Sequence, residues 1–146
     1  MAFETGRSDK RDYKLPLPKM IGPAEQFYGF CKQHELRFQR CVECGTWRHI
    51  PRDMCAHCGS FRTEWAKSSG RGTLFSWTTI AQPMLPQFAP LVPYAAVVVE
   101  LEEGPRMVTW LVDVPPDKLE LGIPLEVAFD DVTPEVTLPK FRRRAA

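Results

Sequence analysis

The stretch CVECGTWRHIPRDMCAHCG, residues 41–59, decides how this chain folds. It contains two Cys-x-x-Cys-Gly units, so four thiol groups occur as two pairs with a glycine after each pair. Four thiolates form the complete tetrahedral ligand set that zinc takes in structural sites. Gly45 and Gly59 permit tight turns in which backbone N–H groups point toward the sulfurs. The pattern therefore predicts a metal site with the ligands Cys41, Cys44, Cys55 and Cys58.

Other uses of paired cysteines fit the stretch less well. A thioredoxin-like redox pair needs one such motif beside a βαβ unit, and haem attachment needs a histidine where Gly45 and Gly59 stand. A rubredoxin-like iron site is the remaining alternative to zinc. Because four cysteines leave no position for water or substrate, we expect one structural zinc per chain and no catalytic residue at this site.

The remaining metal-ligand residue types near the cluster are expected to have other roles. Cys31 falls on the apolar face of a predicted helix, which favours buried packing over a reactive thiol. His49 and His57 could bind the metal only by displacing a cysteine, so we expect both side chains to be exposed.

The segments around the cluster have the patterns of a helix and a small ribbon. Residues 22–35 have Pro23 near a helix start and Glu25 in the first turn, followed by apolar residues at helical spacing. This pattern predicts an amphipathic helix with its apolar stripe free to dock on a neighbour. Three short strands are expected at 36–40, 46–50 and 61–67. The small residues SSGRG, at 68–72, predict a hinge.

Beyond the hinge the pattern is all β. One helical turn is expected at 115–122, between the third and fourth strands, which is the order of an OB-fold barrel. Five strands are predicted, at 73–80, 94–103, 106–112, 123–129 and 135–141.

The loop AQPMLPQFAPLVP, residues 81–93, carries four prolines between apolar residues. Its composition favours a stiff, extended loop. Such a loop either presents an apolar surface to a partner or ligand, or covers the open end of the barrel. Asp130 and Asp131 are interpreted as a turn, not as a catalytic carboxylate pair.

Together these patterns predict a mainly β protein with three parts. Residues 1–35 form an N-terminal arm and a short helix, residues 36–69 form a four-cysteine zinc ribbon, and residues 70–146 form a five-stranded OB-fold barrel.

Composition limits the classes of function. The net charge of +1 gives no overall basic field for nucleic acid, although residues 36–72 carry seven basic side chains against three acidic ones. These basic groups would offset thiolate charge or meet the phosphates of a nucleotide. The longest apolar run, YAAVVV, is far too short to span a bilayer, and the first residues lack the apolar core of a signal peptide. We therefore expect a cytoplasmic protein that does not bind membranes.

Several runs taken together resemble a known family. FYGFCKQHELRFQRCVECG, GRGTLFSWTTI, LGIPLEVAFDD and LPKFR are similar to the corresponding segments of the zinc-ribbon and OB-fold proteins grouped as domain of unknown function 35, and the resemblance covers residues 26–143. Some members of that family lack the cysteines, whereas this chain keeps all four.

The resemblance implies a function that the residue spacing does not. Proteins of this kind accompany thiolase-superfamily subunits that act on acyl-CoA by thiolysis, acyl transfer or retro-aldol cleavage, as in the breakdown of steroids or aromatic compounds. The expectation is a non-catalytic subunit with a thiolase-like partner and with acyl-CoA near their interface. The alternatives are a single-stranded nucleic-acid-binding protein, because zinc ribbons and OB-folds both serve that purpose, and an independent enzyme.

Overall fold

The computed structural model describes residues 13–145, so the first 12 residues of the predicted arm lie outside the described residues. One α-helix precedes two antiparallel sheets. The helix is α1 (Pro23–Lys32); the first sheet contains β1 (Arg37–Cys41), β2 (Trp47–Arg48) and β3 (Thr63–Lys67), and the second contains β4 (Arg71–Ile80), β5 (Tyr94–Leu101), β6 (Arg106–Thr109), β7 (Pro124–Asp131) and β8 (Thr137–Arg143).

The first sheet carries the cysteine units. Its strand order is β2-β1-β3, so β1 is the central strand and pairs along its whole length with β3. Cys41 is the last residue of β1, and the first cysteine unit is therefore the turn that leads from β1 into β2. The three predicted ribbon strands are confirmed, with shorter bounds for the second and third.

The second sheet has the strand order β6-β5-β4-β7-β8 and curls into a half-barrel. Its two ends approach each other where Leu111 and Phe141 form an isolated parallel bridge. The backbone N–H of Phe141 donates to the carbonyl of Trp110 at 3.0 Å, and the N–H of Val112 donates to the carbonyl of Phe141 at 2.9 Å. This closure and the helical turn at Pro116–Lys118 confirm the predicted OB-fold arrangement.

One continuous core joins the helix, the ribbon and the half-barrel. Phe27 and Cys31 on α1 are buried with Phe38 of β1 and Phe141 of β8. The apolar stripe of α1 is therefore used inside the chain, and the expectation that it is free to dock on a neighbour was wrong. The division of the chain into three parts, with boundaries between residues 35 and 36 and between residues 69 and 70, stays a prediction.

The predicted hinge is held in place by carboxylates of the β5–β6 turn. Glu103 accepts hydrogen bonds from the hydroxyl of Ser68 at 3.0 Å and from the backbone N–H of Ser69 at 2.6 Å. Glu102 accepts from the Ser69 hydroxyl at 3.0 Å and forms an ion pair with Arg71. The small residues at 68–72 thus form a clamped joint between the two sheets, not a free hinge.

The proline-rich loop is a 3₁₀ helix at Pro86–Leu91 instead of the extended segment predicted from its prolines. Its Phe88 ring stacks on Tyr94, with the ring centroids 5.6 Å apart, and makes an edge contact with Trp110. Met84 is 87% exposed. The loop therefore packs Phe88 against two aromatic rings of the half-barrel and leaves the apolar side chain of Met84 in solvent.

The acidic pair near the end of the chain also differs from the prediction. Asp130 and Asp131 are the last two residues of β7, not a turn. Asp130 accepts a hydrogen bond from the ammonium group of Lys140 at 2.6 Å, and Asp131 accepts one from the hydroxyl of Thr137. Both carboxylates thus hold β7 to β8, which agrees with a structural role.

Within residues 13–145, no helix combines the length and the apolar character needed to cross a bilayer.

Candidate metal centre

The two cysteine units form matching turns. The N–H of Gly45 donates to the carbonyl of Cys41, and the N–H of Gly59 donates to the carbonyl of Cys55, both at 2.9 Å. The two glycines have φ values of 73° and 77°, in the left-handed region that other residues enter only with strain. The glycine after each pair is therefore required by the turn, as the sequence predicts.

The turns bring the four thiol groups together. All four sulfur atoms lie within 4.8 Å of one another. The sulfurs of Cys41 and Cys58 are 3.5 Å apart, and those of Cys44 and Cys55 are 3.7 Å apart. A tetrahedron with zinc–sulfur bonds of about 2.3 Å has edges of about 3.8 Å. The cluster therefore has the size that one tetrahedral zinc ion requires.

The local hydrogen bonds favour the ionised thiolates that a metal needs. The hydroxyl and the backbone N–H of Thr46 lower the pKa of the Cys44 thiol to about 5. The backbone N–H of Cys44 lowers the pKa of Cys41. At Cys58 the N–H of Ser60 lowers the pKa, but the neighbouring sulfurs outweigh it and raise the pKa to about 12. Four sulfurs this close repel one another when ionised, so complete deprotonation requires a cation among them.

Burial is uneven around the cluster. Cys41 and Cys55 are buried, whereas Cys44 and Cys58 lie at the surface. The four sulfurs complete a tetrahedron by themselves, so an ion held there has no open position for water or a substrate atom. Among residues 13–145, no other group of three or more histidine, cysteine, aspartate or glutamate side chains is placed to hold a metal ion.

The fifth cysteine does not belong to the centre. Cys31 is fully buried in the core cluster, and burial raises the pKa of its thiol to about 12. A thiol that stays protonated in an apolar core is unreactive. The prediction that Cys31 serves in packing is confirmed.

The two histidines near the cluster differ from each other. His57 is exposed, as predicted. The expectation for His49 was wrong, because its ring packs against Phe27 and Phe38, with centroid distances of 5.1 and 5.4 Å. Burial lowers the pKa of His49 to about 4, so this imidazole is neutral at physiological pH.

His49 should make folding stability depend on pH. The unfolded chain binds a proton at this residue below about pH 6.5, whereas the folded chain does not until about pH 4. Stability is therefore lost as the pH falls through this window. We expect the wild type to lose about 1 kcal/mol more stability than His49→Leu between pH 7.5 and 5.5.

Denaturant unfolding at both pH values measures this difference, with the zinc content of each sample determined alongside. An equal loss of stability in the two proteins would contradict the assignment of the titration to His49.

Gln39 is a polar residue of the ribbon that sequence reasoning missed. It is only 3% exposed, and its side-chain oxygen accepts hydrogen bonds from the backbone N–H of Arg52 at 2.7 Å and from Nε of Arg48 at 3.0 Å. Arg48 also donates from Nη2 to the carbonyl of Arg52 at 3.0 Å. The excess of basic residues in 36–72 was the only sequence signal for this arrangement.

Comparison with known proteins identifies both halves of the chain. Residues 30–64 match the family model described as the ChsH2 rubredoxin-like zinc ribbon domain, and residues 65–130 match the ChsH2 C-terminal OB-fold domain. A DUF35 domain-containing scaffold protein of Methanothermobacter thermautotrophicus is 33% identical over 105 residues, which are 71% of this chain and 78% of that protein.

Two further relatives carry names that refer to enzyme complexes. A Thermomonospora curvata protein named "Probable enoyl-CoA hydratase alpha subunit" is 43% identical over 127 residues, which are 87% of this chain but only 39% of the relative. A solved structure named "Ltp2-ChsH2(DUF35) aldolase" contains a chain that is 38% identical. The match covers 87% of this chain and 98% of that one, with a TM-score of 0.78.

Proposed function

Because this chain belongs to the DUF35 family of ChsH2-type zinc-ribbon and OB-fold proteins, we propose that it is a zinc-stapled, non-catalytic subunit of an acyl-CoA-processing complex. Its partner is a thiolase-superfamily protein that carries the reactive residues. The chemistry of that partner is thiolysis, acyl transfer or the retro-aldol cleavage of an acyl-CoA.

The observation that carries the proposal is the four-thiol cluster. Its sulfurs lie at the spacing of a zinc tetrahedron, so we assign Cys41, Cys44, Cys55 and Cys58 as the ligands of one zinc ion. Zinc held by four thiolates supplies folding energy and does not activate water. The names of the relatives support a subunit role, since they include a hydratase alpha subunit and an aldolase that pairs Ltp2 with ChsH2.

The surface for the partner is assigned to the loop between β4 and β5. Met84 and Leu85 are exposed there, and the rest of the loop is anchored by Phe88 on Tyr94 and Trp110. An apolar pair on an anchored loop can bind a partner with little loss of conformational entropy.

The same packing argues against single-stranded nucleic acid as the ligand. Proteins that bind single strands need aromatic faces open for base stacking. Tyr94 and Trp110 instead pack against each other and against Phe88, with the Lys140 ammonium group 5.3 Å from the Trp110 ring centroid. Cytoplasmic localisation is part of the proposal and is supported by the thiol ligands, because a reducing compartment keeps cysteines available for metal.

Co-expression with a thiolase-superfamily protein from the same genome tests the proposal. We expect one hetero-oligomeric peak on size exclusion, and acyl-CoA turnover by the complex but not by this chain alone. Met84→Asp combined with Leu85→Asp should prevent assembly, because each change places a charge in an apolar contact.

Leu121→Asp is the matched control. Leu121 is also exposed, at 70%, but lies in the turn before β7, so the complex should survive this substitution. Two separate peaks together with full activity in the large subunit alone would overturn the proposal.

A further inference from the structure

A cleft of about 460 Å³ lies between the ribbon and the turn that joins β5 to β6. Its size falls in the range of pockets that hold small ligands. Pro105 contributes the wall from the β5–β6 turn, and the clamp between Glu103 and the Ser68–Ser69 segment holds that turn beside the ribbon. The wall that the β5–β6 turn contributes is therefore held in place.

The cleft is basic, and no carboxylate of residues 13–145 pairs with its arginines. Arg48 and Arg52 line it together with His57, and none of the lining residues is acidic. Asp53 follows Arg52 in the sequence but does not line the cleft. Within residues 13–145, neither arginine forms an ion pair with a carboxylate.

Hydrogen bonds hold the Arg48 side chain in one orientation and leave one of its donor nitrogens unused. Gln39 fixes its Nε and the Arg52 carbonyl fixes its Nη2. Its Nη1 is buried and has no hydrogen-bond partner. Two nitrogens of this guanidinium group are held by hydrogen bonds, and the third has a free donor. A planar guanidinium group held in this way is suited to bind a phosphate through two parallel hydrogen bonds.

The metal centre does not account for this arginine. Cys55 lines the same cleft, but in the described part of the chain no hydrogen bond joins Arg48 to a cysteine sulfur. The Cys44 thiol is instead hydrogen-bonded to the Thr46 hydroxyl. Backbone N–H groups donate to the sulfurs of Cys41, Cys44 and Cys58, and the four sulfurs contact one another in two pairs. Nη1 of Arg48 thus remains without the acceptor that a buried donor requires.

Apolar side chains lie beside the basic ones. Trp47, Ile50 and Met54 line the cleft with Pro105, and Ile50 is 64% exposed. Together they offer an apolar surface to a flat ring next to the phosphate-binding group. The preferred ligand is therefore an aromatic ring that carries phosphate.

We propose that this cleft binds the phosphorylated adenosine end of an acyl-CoA, with phosphate on Arg48 and Arg52 and the adenine on the apolar wall. The inference rests on the proposed function, which makes acyl-CoA the substrate of the complex. Binding this end leaves the pantetheine arm and its thioester free to reach the active site of the partner subunit.

A single nucleotide fits the cleft better than a nucleic acid strand. Strand binding needs a basic groove that follows several phosphates. The basic side chains here gather in one cleft, and the other ribbon arginines are paired with carboxylates, as Arg40 is with Glu64 and Arg62 with Glu43.

Calorimetric titration of the full, zinc-loaded chain tests the inference, with CoA, adenosine 3′,5′-bisphosphate, adenosine and a single-stranded oligonucleotide as separate probes. We expect CoA and the bisphosphate to bind, and adenosine to bind at least 10-fold more weakly. Arg48→Gln should weaken CoA binding at least 10-fold while the chain keeps one zinc. Arg62→Gln is the matched control, since it removes the same charge from the ribbon outside the cleft, and it should leave the affinity within 2-fold.

Three outcomes would each overturn the inference. The first is an equal loss of CoA affinity in Arg48→Gln and Arg62→Gln, and the second is that neither CoA nor the bisphosphate binds. The third is that an oligonucleotide binds through Arg48 more tightly than CoA does. The two proposals fail separately. If the chain assembles with its partner but binds no CoA, only the cleft assignment is wrong. If it binds CoA but does not assemble, the subunit function is wrong and the cleft assignment stands.

Discussion

Replacing Cys44 with serine should abolish metal binding and unfold the ribbon. Serine is a poor ligand for zinc, so the zinc content is expected to fall from one ion per chain to none. Structural zinc contributes about 10–16 kcal/mol at neutral pH, and a ribbon of this size has little core with which to replace that energy. Because Cys44 is exposed, a loss of stability in this variant cannot be ascribed to a cavity in the core.

Metal analysis and amide hydrogen exchange measure this outcome. The N–H groups of Gly45 and Gly59, which bond to carbonyls in the two cysteine turns, should lose their protection. Cys31→Ala is the control, because it removes a buried thiol at a cost of about 1–2 kcal/mol but should retain the full zinc content. A Cys44→Ser chain that still holds one zinc and protects both glycines would refute the ligand assignment.

Gly72→Ala should be the most damaging single methyl addition in the half-barrel. Gly72 lies on the central strand β4 and pairs with Leu101 on one side and Leu125 on the other. An added Cβ would clash with the carbonyl oxygen of Glu100, a backbone atom that cannot turn aside. The clash is relieved only if β4 and β5 move apart. We therefore expect a loss of at least about 3 kcal/mol in the free energy of unfolding.

Gly29→Ala is the matched control for this prediction. Gly29 lies in α1, and a Cβ built there meets no atom within 4 Å. Because alanine favours a helix over glycine, the control should gain up to about 1 kcal/mol. Denaturant unfolding compares the two variants, and a Gly72→Ala protein within 1 kcal/mol of the wild type would show that the strands tolerate the methyl group.

The elements that were predictable from sequence have local causes. The two Cys-x-x-Cys-Gly units specify their own turns through left-handed glycines, and alternation of apolar residues marks β7. Pro23 and Glu25 mark the start of α1 for reasons that lie within the helix itself. Such signals depend only on residues a few positions away in the sequence, so they can be recognised without knowledge of the fold.

The features that were missed depend on contacts between distant segments. His49 is half-buried because α1 packs over the ribbon, and the clamp on Ser68 and Ser69 requires the β5–β6 turn to lie beside them. Gly72 belongs to a segment that its small residues marked as a hinge, yet its function is to let two strands approach closely. No pattern within 68–72 distinguishes these two uses of glycine.

Measuring the ligands of the zinc ion during turnover is the most direct test of the claim that this chain is structural and its partner carries the reactive residues. X-ray absorption at the zinc edge, recorded on the assembled complex with and without acyl-CoA, should give four sulfur neighbours at about 2.3 Å in both samples. A nitrogen or oxygen neighbour, or a spectrum that changes when acyl-CoA is added, would show that the ion takes part in the chemistry and would contradict the account.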